Sequence, residues 1–175
     1  MRGFVLLLSS LILALGASAQ FHPVDKSSVV SFKIKNFGFS VGGSFQGLQG
    51  DIRFNPDSLP DARFDVTVEA SSINTDNNMR DEHLRGEDYF DVKNHPRIRF
   101  VSQSVKQARK NEFEMTGSLT IKNTTRVIRF PFTAAAAEGG YLFTGSFKIN
   151  RKDFGVGGSS TISDELTVEL KVLAK

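Results

Sequence analysis

The chain has 175 residues with 16 Phe, 15 Gly, two Tyr and neither Cys nor Trp, and its formal charge is +3. Without Cys there is no disulfide, no thiol nucleophile and no zinc–thiolate site. So small a charge, with no Lys/Arg cluster, builds no basic stripe for nucleic acid.

Residues 1–19 have the pattern of a secretory signal peptide: Arg2, an apolar run over 4–15 and the small-x-small triplet Ala17-Ser18-Ala19. The run is shorter than the roughly 20 residues of a spanning helix, so the chain is not read as membrane-spanning. Losing Arg2, with no acid in that segment, takes the charge from +3 to +2. The expectation is a free, exported, soluble protein whose single domain covers 20–175. His22 falls in a start expected to fray.

From Ser27 onward apolar and polar residues alternate, as in strands with one dry face and one wet face. The expected strands are 28–35, 39–55 (one long bent strand), 62–70, 97–107, 112–121, 126–137, 140–149 and 164–173. Gly42, Gly43, Gly47 and Gly50 mark bulges or bends in the second of these. No linker or repeat divides the chain. Eight antiparallel strands with no helix to cover their apolar face must close on themselves or form a sandwich, so the fold class is all-β.

A closed eight-stranded barrel is either filled by its side chains or holds one small ligand. The apolar rows offer Phe32, Phe45, Phe54, Phe64, Val66, Phe100, Phe113, Met115, Leu119, Phe130, Phe132, Phe143, Phe147 and Val168 as the wall of a tunnel. Small inward positions such as Gly43, Gly117, Ala134, Ala136 and Gly145 would leave gaps among the rings. Periodicity alone leaves both the open tunnel and the filled barrel standing.

Between the third and fourth expected strands lies the polar segment 75–90, far longer than the about 2–5 residues a hairpin uses. Asn77 or Asn78 can cap a short helix there and Gly86 can end it. Met79, His83 and Leu84 would form its narrow apolar edge, and Asp81 with Arg85 an i,i+4 pair. Tyr89 and Phe90 would plug one barrel end. A second polar stretch, 150–158, carries Arg151 and Phe154; it lacks the order of a phosphate loop and reads as a Gly-rich connection.

The three His have no metal-ligand spacing, and Asp81, Glu82, Glu87, Asp88 and Asp91 do not match an EF-hand loop. No Gly-x-Ser-x-Gly elbow occurs. No metal, cofactor or catalytic residue is therefore expected. His83 reads as a fastening, bonded to Asp81 or to a backbone carbonyl. Arg80 and Arg151 each have two readings: a head-group contact at the barrel mouth, or an ion pair. The pairs would be Arg80 with an acid of its own segment, and Arg151 with Asp153 or Asp164.

Ser72-Ile73-Asn74-Thr75, Arg80-Asp81-Glu82-His83-Leu84, Tyr89-Phe90-Asp91-Val92 and Pro96-Arg97-Ile98-Arg99-Phe100 follow one another in the chain. Gly117-Ser118-Leu119-Thr120-Ile121, Arg151-Lys152-Asp153-Phe154-Gly155 and Ile162-Ser163-Asp164-Glu165 come after them. In this order they resemble the YceI-like family of bacterial periplasmic proteins, with departures at the turns, Asn123-Thr124 and His95. The resemblance implies a lipocalin-like antiparallel barrel whose tunnel binds a polyisoprenoid or a similar long amphiphile, for carriage, storage or sensing. It makes that lipid the expected partner and leaves a homodimer open. Two alternatives remain: a packed barrel acting in envelope stress or interaction, and a lipid-modifying enzyme using Arg80, Asp81 and His83.

Overall fold

The computed structural model describes residues 19–158 and 161–175. Its alternating rows form one curled sheet of ten strands: β1 Gln20–Phe21, β2 Val29–Asn36, β3 Phe39–Phe45, β4 Gln49–Arg53, β5 Arg63–Glu69, β6 Arg97–Arg109, β7 Glu112–Ile121, β8 Thr124–Ala137, β9 Gly140–Asn150 and β10 Ile162–Ala174. Neighbours run β1-β4-β5-β6-β7-β8-β9-β10-β2-β3, and every pair is antiparallel. The period of two is carried through to burial: in β7, Phe113, Met115, Gly117, Leu119 and Ile121 are buried, while the residues between them are half-buried.

Ten strands replace the expected eight for two local reasons. The run 39–55 breaks at 46–48, where Gly47 takes φ +69°, a conformation that suits glycine. The Gln46 and Gly47 carbonyls there accept from the Glu69 amide (3.0 Å) and the Arg97 guanidinium (2.7 Å). The extra strand, β1, lies where fraying was expected. Gln20 and Phe21 pair with β4, and His22 exchanges backbone bonds with Lys175 at 2.7 and 3.0 Å. The expected signal peptide lies, except for Ala19, outside the described residues.

Residues 20–24 thus tie β4 to the end of β10. On the far side Ser44 and Asn74 exchange backbone bonds of 2.9 and 3.0 Å, tying β3 to the chain leaving β5. These two ties bring the sheet around into a barrel-like form. Among the described residues one α-helix, α1 (Asn78–Arg85), lies between β5 and β6. No helix among the described residues is long and apolar enough to cross a membrane.

The interior has two unequal halves. In one, the Phe54 ring (1% exposed) meets Phe64, Phe113, Phe132, Tyr141 and Phe143 at centroid distances of 5.1–6.3 Å. Several of these contacts are edge-to-face, an arrangement worth about 0.5–1.5 kcal/mol per pair beyond area burial. In the other half the apolar rows surround open space.

Candidate ligand cavity

That space is a cavity of ≈ 240 Å³. Its wall comes from alternate residues of successive strands: Val30, Phe32 and Ile34 of β2, Val41 and Phe45 of β3, Val66 and Val68 of β5, and Ile98 and Phe100 of β6. Leu119 and Ile121 of β7, Phe130 of β8, Phe147 and Ile149 of β9, and Ile162, Leu166, Val168, Leu170 and Val172 of β10 complete it. Most of these side chains are only half-buried although they point inward, because they face a void instead of an opposing chain.

The small inward positions act differently from the sequence-based expectation. A Cβ on Gly43 would lie 2.3 Å from the Phe32 ring, and one on Gly117 2.3 Å from the Phe100 ring. Each glycine lets a ring of the neighbouring strand lie flat along the wall. The gaps are filled sideways, and the lumen stays open.

One side of the cavity is lined by the segment around α1. Asn77 caps the helix, its Oδ1 accepting from the Arg80 amide at 3.0 Å. Asp81 turns inward and is 4% exposed; its Oδ1 accepts from the Thr75 amide at 3.0 Å and from Thr75 Oγ1 at 2.5 Å. The expected Asp81–Arg85 pair is therefore absent. Arg85 instead pairs with Glu82 at 2.6 Å and donates to the Ser71 and Ile73 carbonyls. Docking by Asp81, Leu84 and Arg85 leaves Met79, expected on the apolar edge, 85% exposed.

Arg80 lies against the cavity. Its Nε donates to Thr75 Oγ1 (2.7 Å) and its Nη2 to the Thr75 carbonyl (2.6 Å). Nη1 has no hydrogen-bond partner among the described residues, and the expected ion pair with an acid of the segment does not form there. Leu84, Tyr89 and Phe90 also line the cavity, with Phe90 edge-on to Phe45 at 5.5 Å. His83 is exposed and rests edge-to-face on Tyr89 at 5.0 Å. It makes no hydrogen bond to Asp81, so Arg80, Asp81 and His83 are not gathered into one cluster.

Arg151 touches the cavity too, but its guanidinium is 6% exposed and heavily engaged. It donates to the carbonyls of Ser163 (3.1 Å), Val156 (2.8 Å) and Gly158 (3.1 Å), and pairs with Asp164 at 3.0 Å. Of the two pairs considered from sequence, Asp164 is the one formed. Phe154 is buried with Leu119, Ile121 and Val156 beneath this loop and is not on the cavity wall.

Of the fourteen wall candidates, Phe32, Phe45, Val66, Phe100, Leu119, Phe130, Phe147 and Val168 border the cavity. Phe54, Phe64, Phe113, Met115, Phe132 and Phe143 do not; they belong to the packed half. The reason is convergence: rings from β5, β7, β8 and β9 close on Phe54 from several directions, with a ≈ 70 Å³ gap beside Phe64 and Met115. Sequence reasoning weighted Phe and so omitted Ile34, Val41, Ile149, Leu166, Leu170 and Val172. They stand in the same alternating rows, and that register was the available signal.

Residues 22–174 match the family model described as the YceI-like domain. The chain belongs to the YceI-like family. A relative named UPF0312 protein, from Pseudomonas savastanoi pv. phaseolicola, is 30% identical over 176 residues, covering 94% of this chain and 92% of its own. One from Pseudomonas fluorescens is 33% identical over 166 residues, covering 86% and 84%. The crystal structure of Burkholderia cenocepacia BcnA matches with TM-score 0.81 at 26% identity, over 86% of this chain and 98% of that one. A Saccharophagus degradans domain, described as polyisoprenoid-binding and implicated in plant cell wall breakdown, matches with TM-score 0.71 over 89% and 97%. At 12% identity that likeness is one of fold. The YceI-like fold of this chain is thus related to that of a polyisoprenoid-binding domain.

Proposed function

We propose that this protein holds a polyisoprenoid or similar long-chain amphiphilic lipid in its apolar cavity, in the periplasm, and carries, stores or senses it there. The observation that carries this reading is the ≈ 240 Å³ space walled almost wholly by aliphatic and Phe side chains, with Arg80 among the residues that border it. An apolar cavity of this kind is a poor host for water, which needs two to four polar partners. Each methylene it takes from water contributes about 0.8 kcal/mol. Branched prenyl units offer the shape that Val, Ile, Leu and Phe walls accept. Arg80 borders this space and keeps Nη1 without a partner among the described residues, which makes it the candidate donor of a charge-assisted bond to an anionic or carbonyl head group.

The fold shared with a polyisoprenoid-binding domain supports the ligand class, and the N-terminal leader pattern supports export. The test is native mass spectrometry with lipid extraction on protein isolated from its own periplasm. The expected result is one bound isoprenoid-type lipid per chain. Protein that never yields a lipid and takes up no added prenyl alcohol would overturn the proposal. A second arm addresses the head group: Arg80→Gln should weaken binding of a prenyl diphosphate while leaving a prenyl alcohol nearly unaffected.

A further inference from the structure

β2 and β3 are joined by a two-residue turn, Phe37-Gly38, flanked by the Asn36–Phe39 pair. Both turn residues have positive φ, 49° and 82°. Turns with positive φ at both central positions favour Asn-Gly or Asp-Gly, and a bulky side chain at the first is disfavoured. The ring recovers nothing by packing, since Phe37 is 73% exposed and Phe39 77%. An exposed aromatic at a position that disfavours it points to a role outside the folded chain.

The placement of the two rings indicates that role. Phe39 continues the inward row of Phe45, Gly43 and Val41 beyond the cavity, and its partner Asn36 is itself part of the cavity lining. Thr161 Oγ1 braces the tip by donating to Asn36 Oδ1 at 3.1 Å. Behind the tip, on the opposite row of β2 from Ile34, stand the exposed Lys33 and Lys35. Lys33 pairs with Glu169 at 2.8 Å, while Lys35 has no ion pair among the described residues.

We propose that the β2–β3 tip docks the protein on a phospholipid bilayer, with Phe37 and Phe39 inserted at head-group depth and Lys35 at the phosphates. The cavity then exchanges its lipid with that bilayer across the adjoining rim, and this second clause rests on the function proposed above. Amphipathic edges of this kind, aromatic in front and basic behind, suit the membrane interface. A second copy of the chain fits less well. Two rings of about 150–250 Å² each fall short of the ~800 Å² per partner that a stable dimer buries.

The test is flotation with vesicles of phosphatidylethanolamine and phosphatidylglycerol, comparing wild type with the double variant Phe37→Ser/Phe39→Ser. Wild type should float, and the double variant should lose vesicle affinity by roughly tenfold or more. Uptake of a prenyl alcohol delivered in detergent should stay unchanged. Phe37→Asn, which suits the turn, should raise the melting temperature while weakening flotation. Wild type that stays unbound, or a double variant that floats equally, overturns the docking. A dimer in light scattering that the double variant converts to monomer assigns the rings to a second copy and likewise overturns it. If flotation depends on the rings but neither protein takes up prenyl alcohol, the docking stands and the function proposed for the cavity fails.

Discussion

The two halves of the interior are built by the same alternation, yet one is solid and the other hollow: aromatic rings crowd the first, while Val, Ile and Leu with a few Phe wall the second. Around Phe54, rings arrive from β5, β7, β8 and β9 and meet across the lumen. Around the cavity the rings pair along the wall instead: Phe130 stacks on Phe147 at 4.7 Å, and Phe32 leans on Phe45 at 5.9 Å. Gly43 and Gly117 let Phe32 and Phe100 lie flat. Phe54 and its neighbours fill their half because they are opposed across the lumen; Phe32 and Phe100 line theirs because a glycine on the next strand makes room for each ring. The solid half supplies stability that the hollow half forgoes.

The sharpest break of this contrast is Phe54→Ala. It removes the hub of the solid half and should cost about 3–5 kcal/mol in denaturant unfolding. Phe147→Ala, on the cavity wall, should cost clearly less.

A pair of enlargements comes next. Phe113→Trp overpacks the solid half, where Phe113 is buried against Phe54 and Phe132, and should cost about 1–3 kcal/mol. Val168→Trp fills the hollow half and should leave stability within about 1 kcal/mol of wild type. It should also abolish prenyl uptake in native mass spectrometry.

Gly43→Ala is milder. The atoms nearest the new Cβ belong to side chains, the Phe32 ring and the Thr75 methyl, so the ring can swing into the void at about 0.5–1.5 kcal/mol. Prenyl capacity should fall more than the melting temperature. Gly117→Ala should cost more, since its Cβ also meets the Val101 carbonyl oxygen at 2.6 Å.

The smallest effect belongs to the outer face, outside both halves. Arg99 donates two bonds to Asp65, at 2.9 and 2.6 Å, and holds its carboxyl below the usual carboxylate range. Both groups are solvated, so Asp65→Asn should cost only about 0.2–1 kcal/mol at pH 7. A depressed carboxylate stabilises fully above its unfolded pKa of ~3.9 and loses that contribution as pH falls through the lower folded value. The gap between wild type and Asp65→Asn in denaturant titrations should close in strong acid.

Much of the architecture was legible because alternation is a local property. The rows of β7 and β10 and the helix beginning after Asn77 follow from neighbours in the chain. What was not legible depends on distant partners. Phe45 and Phe54 look alike in sequence, and only the curl of the sheet sets one on the cavity and the other among opposing rings. The inward turn of Asp81 depends on Thr75 presenting an amide and a hydroxyl to it. The pairing of Gln20 and Phe21 depends on β4, some thirty residues on. Helical spacing offered Asp81 to Arg85, and it could not register that Thr75 competes for the carboxylate.

The central claim is that the hollow half is a lipid site. Native mass spectrometry of wild type and Val168→Trp, mixed with a long prenyl alcohol, tests it most directly. The account predicts a one-to-one adduct for wild type and none for a variant that melts at nearly the same temperature. No adduct with wild type, or equal adducts with both, would contradict it.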